Sequence, residues 1–368
     1  MIPQPVPVGH RTTIENKSLV LTTENNRRTS GPVRATLADV ARAAGVSINT
    51  ASRAFRAPQT VRPQLRQEIE AAANALYYLP NRLAGGLAGA RTDIVGVIIP
   101  SLFYSEFAET LEAMQTTLEA AGLVVMLGNS SFDPEEELRL ARAMLSWRPA
   151  GIGLVGVDHH PEVKQLIKRE QLPLVEFWDV CEECQDCAVG MDHRAIGVQQ
   201  ADHLIDQGCR RIAYIGCIRS GDHRSQKRLD GCSASVRERL GTEIHRAIAA
   251  DAASPAAGNC LAGALLRQHG DVDGIICNGD VVAYGVLHAL REAGRAVPRQ
   301  VKVIGFGDRS PSEYVLPSLS SIRPPRTDIG IEAARMLLQR IDTGQSAIRT
   351  FETKLVARQS TAQTDGVS

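Results

Sequence analysis

The chain has 368 residues, too many for one ordinary domain, and its 43% apolar content is enough to bury a sizeable core. Basic and acidic side chains number 41 each, yet residues 27–92 carry ten Arg, no Lys and three acids (net +7), and the chain from Asp93 onward nets −7. No apolar run nears the roughly 18 residues of a membrane span, and Met1 to Asn26 lacks a signal peptide's apolar core, so a cytoplasmic protein is expected. An all-Arg segment beside an acidic remainder suits a phosphate-binding module attached to a sensor.

Residues 1–34 have no periodicity and read as a disordered extension. Thr36 can cap a first helix through Asp39 to Ala44, which Gly45 ends; Ser47 caps a second, Ile48 to Phe55; a third runs from about Pro63 to Leu76. This pattern fits an ordinary helical hairpin or a helix-turn-helix, whose second helix enters the major groove N-terminus first. In the latter, Ile48 and Asn49 face base edges, the Asn amide being able to pair bidentately with adenine, and Arg53 reaches guanine or phosphate. The hydroxyls of Ser47, Thr50 and Ser52 suit phosphate. Tyr78 to Gly89 is a connector. Its adjacent Gly85 and Gly86 cost about 2 kcal/mol of helix propensity, so it should be unfolded unless something stabilises it.

From Ile94 short apolar strands are predicted at Ile94–Ile99, Leu123–Leu127, Gly151–Val155, Leu174–Trp178, Arg211–Gly216, Gly274–Cys277 and Val301–Phe306. Amphipathic stretches such as Phe107–Ala121, Glu135–Trp147, Ile196–Gln207 and Val281–Ala293 separate them. The alternation predicts parallel α/β sheets, most naturally two lobes with a cleft, where ligands bind beyond the carboxyl ends of the strands. Ser101 and Phe103 follow the first strand; Glu176 and Trp178 should share one face of the fourth, and Trp178 can stack on a sugar ring or pack as plain core.

Two other signals lose weight. Gly151, Gly153 and Gly156 fit G-x-G-x-x-G, but they lie inside a strand rather than opening a helix. Cys181, Cys184 and Cys187 have metal-like spacing with only His193 near as a fourth ligand, so the alternatives are a redox or metal role and an idle polar loop. The other five cysteines read as packing residues. No nucleophile or metal constellation points to an enzyme, and no cofactor or resident metal is expected.

The run Thr36 to Ser47, then Thr50-Ala-Ser-Arg53, then Tyr78-Leu-Pro-Asn81 followed by Leu83-Ala84, resembles the N-terminal signature of the LacI/GalR family of transcriptional regulators. The likeness continues to about Thr353. Ala51, Arg56 and the Gly85-Gly86 pair depart from the usual family residues. The resemblance implies a three-helix helix-turn-helix domain (35–80), a hinge helix (81–92) and a bilobed, periplasmic-binding-protein-like sensor (93–360). Lobe 1 would take about 93–192 and 324–350, lobe 2 about 193–323 and 351–360, before a tail at 361–368. The implied DNA-binding set is Thr36, Ser47, Ile48, Asn49, Thr50, Ser52, Arg53, Arg62, Asn81 and Leu87, with Leu87 wedging into the minor groove.

The expected effector set joins the strand-end candidates Ser101, Phe103, Glu176 and Trp178 to Asp192, Arg228 and Asp280. Arg228 matches the family's effector-binding Arg and Asp280 its cleft Asp, while Asp192 lies at a crossover between lobes. Pro100 to Leu102, Phe107 to Glu109, Met144 to Trp147, Val175-Glu176 and Ala188 to Gly190 are similar to the gluconate-utilisation repressors. They imply gluconate or a related sugar acid, its carboxylate on Arg228. The expected partners are double-stranded operator DNA and a second copy of the chain; Phe351 to Ser368 lacks a heptad repeat, so a dimer rather than a coiled-coil tetramer is expected. The alternatives are a solute-binding protein of the same bilobed fold and a regulator of another effector.

Overall fold

A computed structural model describes residues 35–79, 92–102, 105–181 and 184–362. Asn81, Leu87, Phe103 and the Gly85-Gly86 pair lie outside the described residues. The chain divides into two compact units, Met1–Gly85 and Gly86–Ser368.

The first unit holds α1 (Leu37–Ala43), α2 (Ile48–Arg56) and α3 (Pro63–Ala75), with a single 3-10 turn at Pro58–Thr60. Thr36 and Asp39 form a reciprocal capping box at the start of α1, and Gly45, at φ +64°, makes the left-handed turn that sends the chain into α2. Val40, Ala41, Ala51, Ala54, Ile69 and Ala73 form its core.

The second unit begins with β1 (Ile94–Ile99), α4 (Ser105–Ala120), β2 (Val124–Asn129), α5 (Pro134–Leu145), β3 (Gly151–Val155), α6 (Pro161–Arg169), β4 (Leu174–Phe177) and β5 (Cys187–Gly190). It continues through α7 (His193–Asp206), β6 (Ile212–Cys217), α8 (His223–Leu240), β7 (His245–Ala249), α9 (Pro255–Gln268), β8 (Gly274–Cys277), α10 (Asp280–Glu292), β9 (Lys302–Phe306), α11 (Pro311–Tyr314) and β10 (Ser320–Arg323). Last come α12 (Arg326–Thr343), β11 (Ile348–Thr350) and β12 (Lys354–Val356).

Two six-stranded sheets result, ordered β11-β5-β4-β3-β1-β2 and β12-β10-β9-β8-β6-β7. Their ladders are parallel except β10 with β12. Each sheet defines a lobe, and the chain crosses between them three times: after β5, after β10 and after β11. α4 and α12 pack together on the first sheet, as α7 and α8 do on the second. The central strands are buried on both faces, as parallel strands covered by helices must be, which is why β1 reads as an unbroken apolar run. One core cluster joins the α4–α12 side of lobe 1 to the α7–α8 side of lobe 2, including Val97, Phe177, Tyr214, Phe306 and Ile329. Separate cores lie on the outer faces, under α5 and α6 and under α9 and α10.

Candidate functional site

In the first unit, Ser47 Oγ accepts from Thr50 N (3.1 Å) and meets Thr50 Oγ1 (2.9 Å), which caps α2. No acid occupies the first turn of α2, so its dipole favours an anion at that end. Ile48 is 54% exposed, and Asn49, Arg53 and Arg62 are exposed too. Thr36 is occupied as a cap: its Oγ1 donates to Asp39 Oδ2 at 2.6 Å. Ser52 is only 7% exposed, which leaves its hydroxyl little surface for phosphate, contrary to expectation.

In the second unit a cavity opens between the lobes at the carboxyl ends of β4, β8 and β9, reached by Trp178, Asn278 and Phe306. Arg224 and Arg228, one turn apart on α8, reach into it, and Glu106 of α4 and Asp280 of α10 line it as well. Phe107 stands edge-on to Trp178, ring centroids 5.2 Å apart, and the Arg228 guanidinium lies 4.1 Å over the Phe306 ring.

Most of Arg228 is already engaged. Its Nη1 is 2.9 Å from His193 Nδ1, and Nη2 donates to Ser225 Oγ (2.8 Å) and the Asn278 carbonyl (3.1 Å). His193 Nε2 lies 2.7 Å from the Trp178 carbonyl, so Nε2 carries the hydrogen and Nδ1 accepts from Arg228. Burial, and then Arg228 itself, hold His193 well below its ordinary value and keep it neutral. Of the Arg228 nitrogens, Nε alone has no hydrogen-bond partner.

Arg224 is the less committed guanidinium. It makes a long bond from Nη1 to the Val155 carbonyl (3.4 Å) and lies 5.7 Å from the Phe107 ring centroid. Gly156, at φ +93°, makes room for it: a Cβ there would sit 2.7 Å from Arg224 Nη1. Gly307, at φ +118°, does the same for Glu106, whose Oε1 would be 2.6 Å from a Cβ. Burial raises the Glu106 carboxyl; its Oε2 has no hydrogen-bond partner and lies 3.5 Å from Arg309 Nη2.

Asp280 is present in the cavity but largely satisfied. Ser321 Oγ donates to Oδ1 (2.7 Å), and Arg309 N (2.8 Å) and Ser312 Oγ (2.7 Å) donate to Oδ2. Of about four lone-pair directions, roughly one remains for a hydroxyl.

Three expected cleft residues lie elsewhere. Asp192 caps α7, Oδ1 accepting from Ala195 N at 3.0 Å, and lines a separate surface groove beside Asp202, Asp206 and Phe351. Glu176 and Trp178 do not share a face: Trp178 has φ +75°, which breaks the strand's alternation, and its Nε1 donates to Thr110 Oγ1 (3.1 Å) on the α4 side. Glu176 therefore faces the outer side, 0% exposed, where His159 Nε2 is 3.5 Å away and His159 Nδ1 meets both Glu137 oxygens at 3.1 and 3.2 Å. Ser101 is buried after β1 and is not among the cavity's lining residues.

Arg224, Glu106 and Phe306 were not anticipated. A signal existed for Arg224, since positions four apart on a helix share a face; Glu106 and Phe306 carry no motif. Among the described residues no three His, Cys, Asp or Glu side chains converge on a metal position. The cysteine run resolves into a pair, Cys181 and Cys184, and a buried Cys187, while Cys260 is exposed rather than packed.

Comparison with known proteins gives two domain matches. Residues 36–81 match the family described as bacterial regulatory proteins, lacI family, and 201–361 match the periplasmic binding protein-like domain. The HTH-type transcriptional regulator GntR of Pseudomonas aeruginosa is 37% identical over 348 residues, 92% of this chain and 99% of that protein. GntR of Escherichia coli is 32% identical over 308 residues, 84% of this chain and 92% of that one. The crystal structure of a LacI family transcriptional regulator from Silicibacter pomeroyi superposes with a TM-score of 0.84 at 32% identity, covering 89% of this chain and all of that one (100%).

Proposed function

Since the chain belongs to the lacI family of bacterial regulatory proteins and is a DNA-binding transcriptional regulator rather than an enzyme, we propose that it is a repressor released from a pseudo-palindromic operator by a sugar acid such as gluconate. The solute-binding alternative falls away with the family assignment. One observation carries the effector class: two buried guanidinium groups, Arg224 and Arg228, face one aromatic-walled cavity. A carboxylate takes two parallel charge-assisted bonds from a guanidinium, a pairing that the hydroxyls of a neutral sugar do not offer. Arg224 is the first candidate for the carboxylate, because the Nη groups of Arg228 are held by His193, Ser225 and Asn278. Hydroxyls of the chain then meet Glu106 Oε2 and the remaining acceptor direction of Asp280.

On the DNA side, Ile48, Asn49 and Arg53 of α2 read base edges, one helix-turn-helix of a homodimer per half-site. Asn81 and Leu87 complete the contact through the hinge. Effector and operator oppose each other by a coupling free energy, typically about 1–3 kcal/mol.

The test is a gel shift of the full-length protein on DNA upstream of its own and neighbouring genes, with and without gluconate. A shift that gluconate reverses supports the reading. A shift that gluconate leaves intact but a neutral sugar reverses overturns the sugar-acid assignment.

A further inference from the structure

The connection from β4 to β5 leaves the cavity at Trp178, and two cysteines in it, Cys181 and Cys184, precede a third at the start of β5. That third, Cys187, is buried, and its sulfur lies 3.9 Å from the Met336 carbonyl. Cys181 and Cys184 are partly exposed, and their sulfurs are 2.8 Å apart. Two further contacts close the turn: Cys181 N donates to Cys184 Sγ (3.3 Å), and Cys184 Sγ donates to the Cys181 carbonyl (3.0 Å). A disulfide has its sulfurs about 2.05 Å apart, so bond formation asks the two atoms to approach by less than about 1 Å.

The connection is anchored at both ends. Asp179 Oδ2 accepts from Lys227 Nζ of α8 at 2.6 Å, and the Trp178 carbonyl accepts from His193. At the far end Asp186 takes Arg340 Nε (2.7 Å) and Leu174 N (3.1 Å).

We propose that Cys181 and Cys184 are a reversible dithiol–disulfide pair, a thiol-modification site in the connection between β4 and β5, with a small-molecule disulfide as oxidant. The Cys181 thiolate attacks the small disulfide RSSR, forming a mixed disulfide and releasing RS⁻. The Cys184 sulfur then attacks the Cys181 sulfur and expels the second RS⁻. The two thiol protons end on the two RS⁻ groups, so two cysteine thiols and one RSSR become one protein disulfide and two RSH. Burial, and next the hydrogen bond with Cys181, push the Cys184 thiol up to about 12, so the first attack falls to Cys181. In a reducing compartment the pair rests as thiols.

The experiment treats reduced full-length protein with oxidised glutathione, alkylates the remaining thiols and maps the peptides by mass spectrometry. Cys260, exposed on α9, takes up glutathione in the same sample and shows that the oxidant has reached the protein. The expected result is a two-hydrogen loss mapped to a Cys181–Cys184 link, reversed by dithiothreitol. In Cys184→Ser, with folding checked by thermal unfolding, Cys181 keeps its glutathione instead. Two results overturn the pair: both cysteines alkylated as free thiols while Cys260 is glutathionylated, or a glutathione adduct that persists on Cys181 in the unaltered protein. Amide exchange offers a second reading, because the linked form slows exchange across the connection and random surface oxidation does not.

Discussion

Arg224, on a helix of the second lobe, donates across the cleft to the Val155 carbonyl at the end of a strand of the first, 3.4 Å away. The guanidinium therefore bridges the two lobes at the cavity and is the carboxylate partner of the proposed effector reading. Replacing it with Met should weaken gluconate binding by about 10- to 100-fold, the worth of a charge-assisted hydrogen bond of roughly 1.5–3 kcal/mol. Calorimetric titration measures this, with thermal unfolding to check the fold. Undiminished affinity would place the carboxylate elsewhere.

Gly156 lets Arg224 in. Alanine there combines a positive φ with a Cβ 2.7 Å from Nη1, so Gly156→Ala should cost about 1–3 kcal/mol in a urea unfolding curve. The same change should weaken gluconate binding in parallel with Arg224→Met, since it displaces the same group. A variant as stable as the parent would show that the turn relaxes freely.

At the DNA-reading end, Asn49 and Ser47 should separate into two kinds of defect. Asn49→Ala removes an exposed amide and should cost about 1–3 kcal/mol of operator affinity at one base position, with little change in stability. Ser47→Ala removes the cap on Thr50 N and should cost about 1 kcal/mol of stability in the same unit. Operator variants in a gel shift, paired with thermal unfolding, distinguish the two. Equal losses on every operator sequence for Asn49→Ala would mean that it touches backbone rather than bases.

Beneath the first sheet, His159 sets a pH dependence. Burial alone would lower it, but Glu137 and then Glu176 outweigh that cost and push it up to about 9. A folded value above the unfolded value of about 6.5 means stabilisation that is complete below that pH and lost as pH rises through about 9. The full span corresponds to about 3 kcal/mol at most. Urea unfolding between pH 6 and pH 10 should show this fall, and His159→Gln should flatten it. An identical slope in both proteins would remove His159 from the cause.

Much of this was legible in the chain. The helix caps at Thr36 and Ser47, the left-handed turn at Gly45 and the unbroken apolar run of β1 each have a local cause that the sequence states directly. Short β10 was not readable, because Ser320 and Ser321 are fully buried yet polar, and their hydroxyls are satisfied by the Arg358 carbonyl and Asp280 from distant parts of the chain. The cavity was legible at Arg228 and Asp280 through resemblance, but not how far their atoms were already engaged. Trp178 shows the limit most clearly: alternation along β4 predicts one face, and a single positive φ selects the other.

The two sheets share one strand order, with the last position of each filled from the far end of the chain by β11 and β12. Neither lobe is thus a continuous stretch of sequence. A stop codon after Arg323 would take an edge strand from both sheets at once, along with the α12 helix that covers the first. Neither lobe can be cut out as one continuous fragment with all its strands, and a late frameshift damages the lobe synthesised first as well as the other.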